Sequence, residues 1–203
     1  MVTNFVFMGQ GEPLYNWSNL SEAVEVMVGG MGFGHRRVTI STSGITPLIP
    51  KIASELGVNL AVSLHAPNDE LRSQIMPINK TYPLSALIEA CEKFIQGASC
   101  ATRRVSFEYV MLRGVNDQAS HARELANLVK HLPAHVNLIP FNPWPGSSYA
   151  CSPPDVTDRF LQYLEERGLP TTIRRPRGRD IMAACGQLRS SLAEGKQPIK
   201  QVS

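Results

Sequence analysis

The chain has 203 residues, 43% of them hydrophobic, and a formal net charge of +3. That is enough apolar material for one well-buried domain, and no run approaches the ~18–20 apolar residues a membrane span needs. There is no basic-then-apolar start of signal-peptide type, and Cys91, Cys100, Cys151 and Cys185 form neither a CxxC pair nor a zinc pattern, so no disulfide framework is expected and a cytoplasmic location is.

The first β-rich run, Asn4–Met8, leads into Gly9-Gln10-Gly11-Glu12-Pro13. The second, Arg37–Ile40, leads into Ser41-Thr42-Ser43-Gly44, and the third, Asn59–Leu64, ends in Ser63-Leu64-His65-Ala66-Pro67. Leu84, Leu87, Ile88, Cys91, Phe94 and Ile95 then fall on one helical stripe, followed by a fourth strand run, Arg104–Met111. Leu125, Leu128, Val129 and Leu132 make a second stripe before His135–Ile139, which runs into Pro140-Phe141-Asn142-Pro143. Val156, Phe160, Leu161 and Leu164 make a third, announced by Pro153-Pro154, before a last strand, Thr171–Arg174. Strand runs alternating with helical segments predict a parallel sheet with crossover helices, although periodicity does not separate an open sheet from a barrel. Nothing marks a linker before Arg174, after which a Pro/Gly/Arg-rich stretch leads into a predicted short helix, 180–193.

Four of these strands end in small or polar residues, and in α/β folds the C-terminal ends of parallel strands face the ligand, so the four segments are expected to converge on one mouth. Gly11 allows close backbone approach and Glu12 offers a carboxylate to an ammonium group, although the tripeptide is common and a strand-to-helix turn with an exposed Glu is its more frequent explanation. Ser41, Thr42 and Ser43 suit a ribose or a carboxylate, or else a helix N-cap. Ser63, Leu64 and His65 bring a hydroxyl and an imidazole, which a hydrogen-bonded structural histidine would also explain. Asn142, between two prolines, sits where a rigid loop could aim an amide at a base edge, although a proline-rich turn needs no ligand to explain it. Cys185 follows Arg174, Arg175, Arg177 and Arg179, and nearby arginines favour the nucleophilic thiolate; a buried thiol is the competing reading. The segment 170–203 holds seven Lys/Arg against two acids, as a phosphate-contacting surface or a solvated basic face would.

Taken in order, FMGQGEPLYN, RRVTISTSG, AVSLHAPND, MPINKTYPL, EYVMLRGVND, NLIPFNPWPG and RGRDIMAACGQL closely resemble the radical S-adenosylmethionine (SAM) methyltransferases that modify adenine C2 in 23S ribosomal RNA and, in many bacteria, transfer RNA. The resemblance runs from Asn4 to about Leu192. It implies an α/β fold: an incomplete (β/α)6 radical-SAM barrel over residues 1–174, without the first β/α unit and its CxxxCxxC loop, and a basic extension over 175–203. It assigns Gly11 and Glu12 to the methionine end of SAM, and Ser41, then Ser63, Leu64 and His65, then Asn142, to further SAM contacts. Cys185 matches the cysteine that is methylated and passes the methyl group to RNA. The implied cofactors are SAM and a [4Fe-4S] cluster whose ligands this chain lacks. The implied partners are RNA and an electron donor such as flavodoxin or ferredoxin, and the isolated chain is expected to be inactive. Two other readings stay open: the related family that methylates adenine C8, and a non-catalytic fragment that binds RNA through the arginines around Arg177.

Overall fold

A computed structural model describes residues 2–8, 11–97, 104–143 and 146–174. Cys100, Arg175, Arg177, Arg179, Cys185 and the helix expected over 180–193 lie outside the described residues.

Six strands form one sheet: β1 (Phe5–Phe7), β2 (Val38–Thr42), β3 (Asn59–Ser63), β4 (Val105–Met111), β5 (Ala134–Pro140) and β6 (Thr171–Ile173). They pair in chain order, every pair parallel. Parallel neighbours require crossovers, and helices supply them: α1 (Trp17–Glu25), α2 (Ile49–Lys51), α3 (Asp69–Ile75) with α4 (Leu84–Gln96), α5 (Ala119–Val129) and α6 (Pro154–Glu165). Among the described residues β1 and β6 do not pair, so the sheet is an open arc of the partial-barrel kind expected from the sequence.

The period-two alternation of the strands divides the sheet into two faces. Val38, Ile40, Leu60, Val62, Val105, Phe107, Tyr109, Met111, Val136 and Leu138 point to the helices and are fully or almost fully buried. Each such side chain stabilises the fold by roughly 1.5–3 kcal/mol. The opposite face carries Thr39, Asn59, Ser106, Glu108, His135 and Asn137, which line an open cavity of about 770 Å³.

The three expected helical stripes become α4, α5 and α6. In α4, Leu84, Leu87, Ile88, Cys91 and Phe94 are buried as expected. In α6 the buried positions are Thr157, Phe160 and Leu164, with Val156 and Leu161 only half-buried. Thr157 tolerates the core because its hydroxyl donates to the Pro153 carbonyl at 3.2 Å. The shorter α1, with only Leu20 and Val24 buried, carries too narrow a stripe to be read from periodicity.

Candidate functional site

Because all six strands run the same way, their C-terminal ends share one rim, and the site is built there. Glu12 caps the 3-10 turn Pro13–Asn16, one carboxylate oxygen accepting from Leu14 N–H at 3.1 Å. The other accepts from Ser43 N–H at 2.7 Å and Ser43 Oγ at 2.6 Å. The loop after β1 is thereby tied to the turn after β2. Gly11 has φ +122°, a conformation that side-chain-bearing residues rarely adopt, so glycine lets the chain turn into Glu12.

The three hydroxyls after the second strand run divide their work. Strand β2 extends through Thr42, two residues beyond the expected end, so Ser41 lies within the strand and is buried. Thr42 Oγ1 accepts from Gly44 N–H at 3.0 Å and closes the turn. Ser43 serves Glu12. Gly44 has φ +115°, and a Cβ there would lie 3.2 Å from Leu87 Cδ1 and 3.3 Å from Arg72 Nη2.

After β3 the chain is pinned residue by residue. Leu64 is a core side chain, fully buried, whose N–H donates to the Glu108 carbonyl at 3.0 Å. His65 has φ +59°, unusual outside glycine. Two neighbours hold it there: Asn116 Nδ2 donates to its carbonyl at 2.8 Å, and Val110 N–H donates to its Nδ1 at 3.1 Å. Since Nδ1 accepts, the ring proton sits on Nε2, which has no partner among the described residues and is available as a donor. Desolvation, aided by the Arg72 charge, pulls the His65 pKa down to about 4, so the imidazole is neutral at physiological pH.

Arg72 and Asn116, both fully buried, were not singled out in the sequence. Arg72 Nε donates to the Leu64 carbonyl at 3.1 Å, Nη1 to Asn79 Oδ1 at 2.9 Å, and Nη2 to the Ser43 and Ser63 carbonyls at 2.8 and 3.0 Å. Asn116 also donates to the Val110 carbonyl at 2.6 Å and accepts from Leu112 N–H at 2.8 Å. Asn79 and Asn116 sit in the MPINKTYPL and EYVMLRGVND segments, so those segments carried the signal without identifying the residues. Arg72, in the polar stretch DELRSQ, looks like a solvated helix position.

The other polar group sits on the cavity face. Glu108, in register with Ser63, accepts from Asn137 Nδ2 at 2.8 Å, and Asn137 Oδ1 accepts from Thr172 Oγ1 at 3.2 Å. Burial pushes the Glu108 carboxyl up against the opposing pull of Asn137, Arg174 and Ser106.

Of the expected site residues, Gly11, Glu12, Ser41, Ser63, Leu64 and His65 are brought to one rim across β1–β3. Asn142 follows β5 at the same end, half-buried, and no bond links it to the others among the described residues. Burial raises the Cys91 thiol pKa to about 12, which makes Cys91 a core residue and not a nucleophile. Among the described residues no group of three His, Cys, Asp or Glu side chains is placed to hold a metal ion.

Comparison with known proteins agrees with this architecture. The dual-specificity RNA methyltransferase RlmN of Methylocella silvestris is 53% identical over 192 residues, covering 94% of this chain and 48% of that protein. RlmN of Rhodospirillum rubrum is 54% identical over 191 residues, covering 93% and 44%. The chain therefore spans about half the length of the curated relatives it matches. A radical SAM methyltransferase from Sphaerobacter thermophilus superposes with a TM-score of 0.86 at 48% identity, over 91% of this chain and 54% of that one. A domain of pyruvate-formate lyase-activating enzyme from Bacteroides vulgatus shares the fold, with a TM-score of 0.61 at 17% identity over 84% of this chain and 98% of that one. The family model described as the Radical SAM superfamily matches residues 1–129, and with the parallel sheet and its rim of polar strand ends this shows that the chain belongs to the radical SAM superfamily.

Proposed function

We propose that this chain is the SAM-holding part of a cytoplasmic RNA methyltransferase that places a methyl group on adenine C2 in 23S ribosomal RNA and transfer RNA. The observation that carries the reading is the Glu12–Ser43–Arg72–His65 construction at the strand ends, in a chain about half identical to proteins named for dual-specificity RNA methylation.

The residues present fit SAM. Glu12 receives three hydrogen bonds, and a carboxylate has about four acceptor positions, so one remains for the ammonium of a methionine moiety. Neutral His65 offers Nε2–H to the carboxylate of the same moiety. The Ser41 and Ser63 hydroxyls suit a ribose or carboxylate, and the Asn142 amide suits an adenine edge. Leu64 contributes by anchoring: its side chain lies in the core and its carbonyl is held by Arg72. When bound, SAM supplies the methyl group. The residues do not fit an iron–sulfur cluster, because the sequence contains no CxxxCxxC and the described residues hold no metal-binding group, so no step of this chain's chemistry is derived through one.

In this reading residues 1–174 hold SAM, and 175–203 form an extension whose Cys185 thiolate, favoured by the arginines before it, attacks the methyl carbon of SAM and releases S-adenosylhomocysteine, so that Cys185 is the methyl carrier on the way to RNA. The test is nucleoside analysis of cellular RNA. Deleting the gene that encodes this chain should remove 2-methyladenosine from 23S ribosomal RNA and transfer RNA. A gene encoding this chain joined to a CxxxCxxC-bearing segment should restore it, and the same gene with Cys185→Ala should not. Restoration by Cys185→Ala would overturn the role of Cys185, and 8-methyladenosine in place of 2-methyladenosine would overturn the regiochemistry.

A further inference from the structure

We propose that Arg72 is the positioning residue of this site: its guanidinium clamps the ends of β2 and β3 together, and so sets where the Glu12 carboxylate and the His65 imidazole stand. The inference rests on the SAM reading given above, and adds to it a residue that touches no ligand.

Four of the five guanidinium donors are used, and each goes to a different residue. Three of the acceptors are backbone carbonyls of Ser43, Ser63 and Leu64, the strand-end residues that carry or precede the candidate ligand contacts. Ser43 in turn gives both its N–H and its hydroxyl to Glu12, so the chain of contacts runs from α3 through the β2 turn to the loop after β1. On the other side Leu64 precedes His65 directly. Burying a guanidinium is costly, and a residue kept for packing alone would be better apolar. Arg72 makes no direct ion pair among the described residues. Desolvation lowers its pKa to about 10, well above physiological pH, so it stays charged. Asp69, one turn earlier, supplies the counter-charge at one remove: its carboxylate accepts from Asn79 Nδ2 at 2.9 Å, and Asn79 accepts from Arg72. Gly44 is shaped to the same purpose, since a Cβ there would crowd Nη2. The charge also faces His65, where it helps keep the imidazole neutral and able to donate.

Lysine separates the two contributions, because it keeps the charge but has three donors on a single nitrogen and cannot span the four acceptors. In Arg72→Lys, S-adenosylhomocysteine measured by calorimetry should bind about tenfold more weakly. The Ser43 amide should exchange with solvent faster while the Phe107 amide in the central ladder does not, and the His65 imidazole, followed by NMR, should still titrate near 4. In Arg72→Met, His65 should titrate higher as well. If Arg72→Lys does not fold, Asn79→Ser, which removes one acceptor and leaves the guanidinium in place, should show the same Ser43 signature at smaller amplitude. Unchanged Ser43 exchange and unchanged ligand affinity in the folded variant would overturn the proposal. Should the wild-type chain fail to bind S-adenosylhomocysteine, the SAM reading falls, and Ser43 exchange alone then decides the clamp.

Discussion

The β4–β5 and β1–β2 pairs are made of the same parallel ladder, yet the first joins seven residue pairs and the second three. Val105, Phe107, Tyr109, Met111, Val136 and Leu138 at the centre are completely buried, whereas Val6 on β1 is 54% exposed, with Val2, Val26 and Met31 exposed as well. Two of the candidate ligand contacts, Gly11 and Glu12, follow the weaker strand. What fixes them is therefore not the sheet but the carboxylate bonds from Glu12 to Ser43, which borrow rigidity from the interior. A site on a thin edge can be as well defined as one on a central strand, provided its side chains reach inward.

Breaking the central side should have the largest effect. Asn116→Ala leaves the Leu112 N–H and the His65 and Val110 carbonyls without their partner, and should cost about 2–4 kcal/mol in denaturant unfolding. A loss below about 0.5 kcal/mol would mean that water replaces those bonds freely. Glu12→Ala removes three bonds at the edge and should cost less, about 1–2 kcal/mol. Its signature should be local, with faster amide exchange at Leu14 and Ser43 and none at β4 and β5; a uniform increase would contradict the comparison.

Two groups that desolvation shifts in opposite directions, His65 and Glu108, sharpen it through pH. His65 has a folded pKa below its ordinary 6.5, so it contributes stability above 6.5 that is lost as pH falls toward about 4. Glu108 is shifted the other way: the folded chain holds its proton more tightly than the unfolded one, so its contribution is present at low pH and is lost as pH rises through the raised value. Replacing Glu108 by Gln should remove the fall in stability that sets in as pH rises past the ordinary carboxylate value of 4.5, and leave the rise contributed by His65 between about 4 and 6.5 in place. The smallest expected effect on stability is that of Val6→Lys, within about 0.5 kcal/mol, because the side chain, at the border of the open cavity beside Thr39, is already half exposed. A lysine on an exposed edge strand opposes strand addition, so the variant should self-associate less than the wild type in sedimentation, and equal association would show that β1 is not the sticky edge.

Much of this arrangement was legible in the sequence. The strands declared themselves because β-branched and aromatic runs are short and punctuated, and α4 because its apolar spacing covers more than three turns. The polar strand ends identified the rim. What could not be read were the groups whose meaning depends on folding: Arg72 resembles any solvated helix arginine until α3 packs it against two strand ends. Thr42 and Ser43 look equivalent until one closes its own turn and the other reaches the loop after β1. Glu108 is one polar letter in an alternating strand, and only the sheet's curvature decides that it faces a cavity.

The central claim, that SAM is held at the rim formed by the ends of β1, β2, β3 and β5, is tested most directly by mapping amide chemical shifts as S-adenosylhomocysteine is added to the chain. The account predicts that the saturating shifts fall at Gly11, Ser41, Ser63, His65 and Asn142, with the Nε2–H of His65 moving most among side-chain signals. Saturating shifts that instead gather around Arg104 and His135, at the opposite end of the strands, would contradict it.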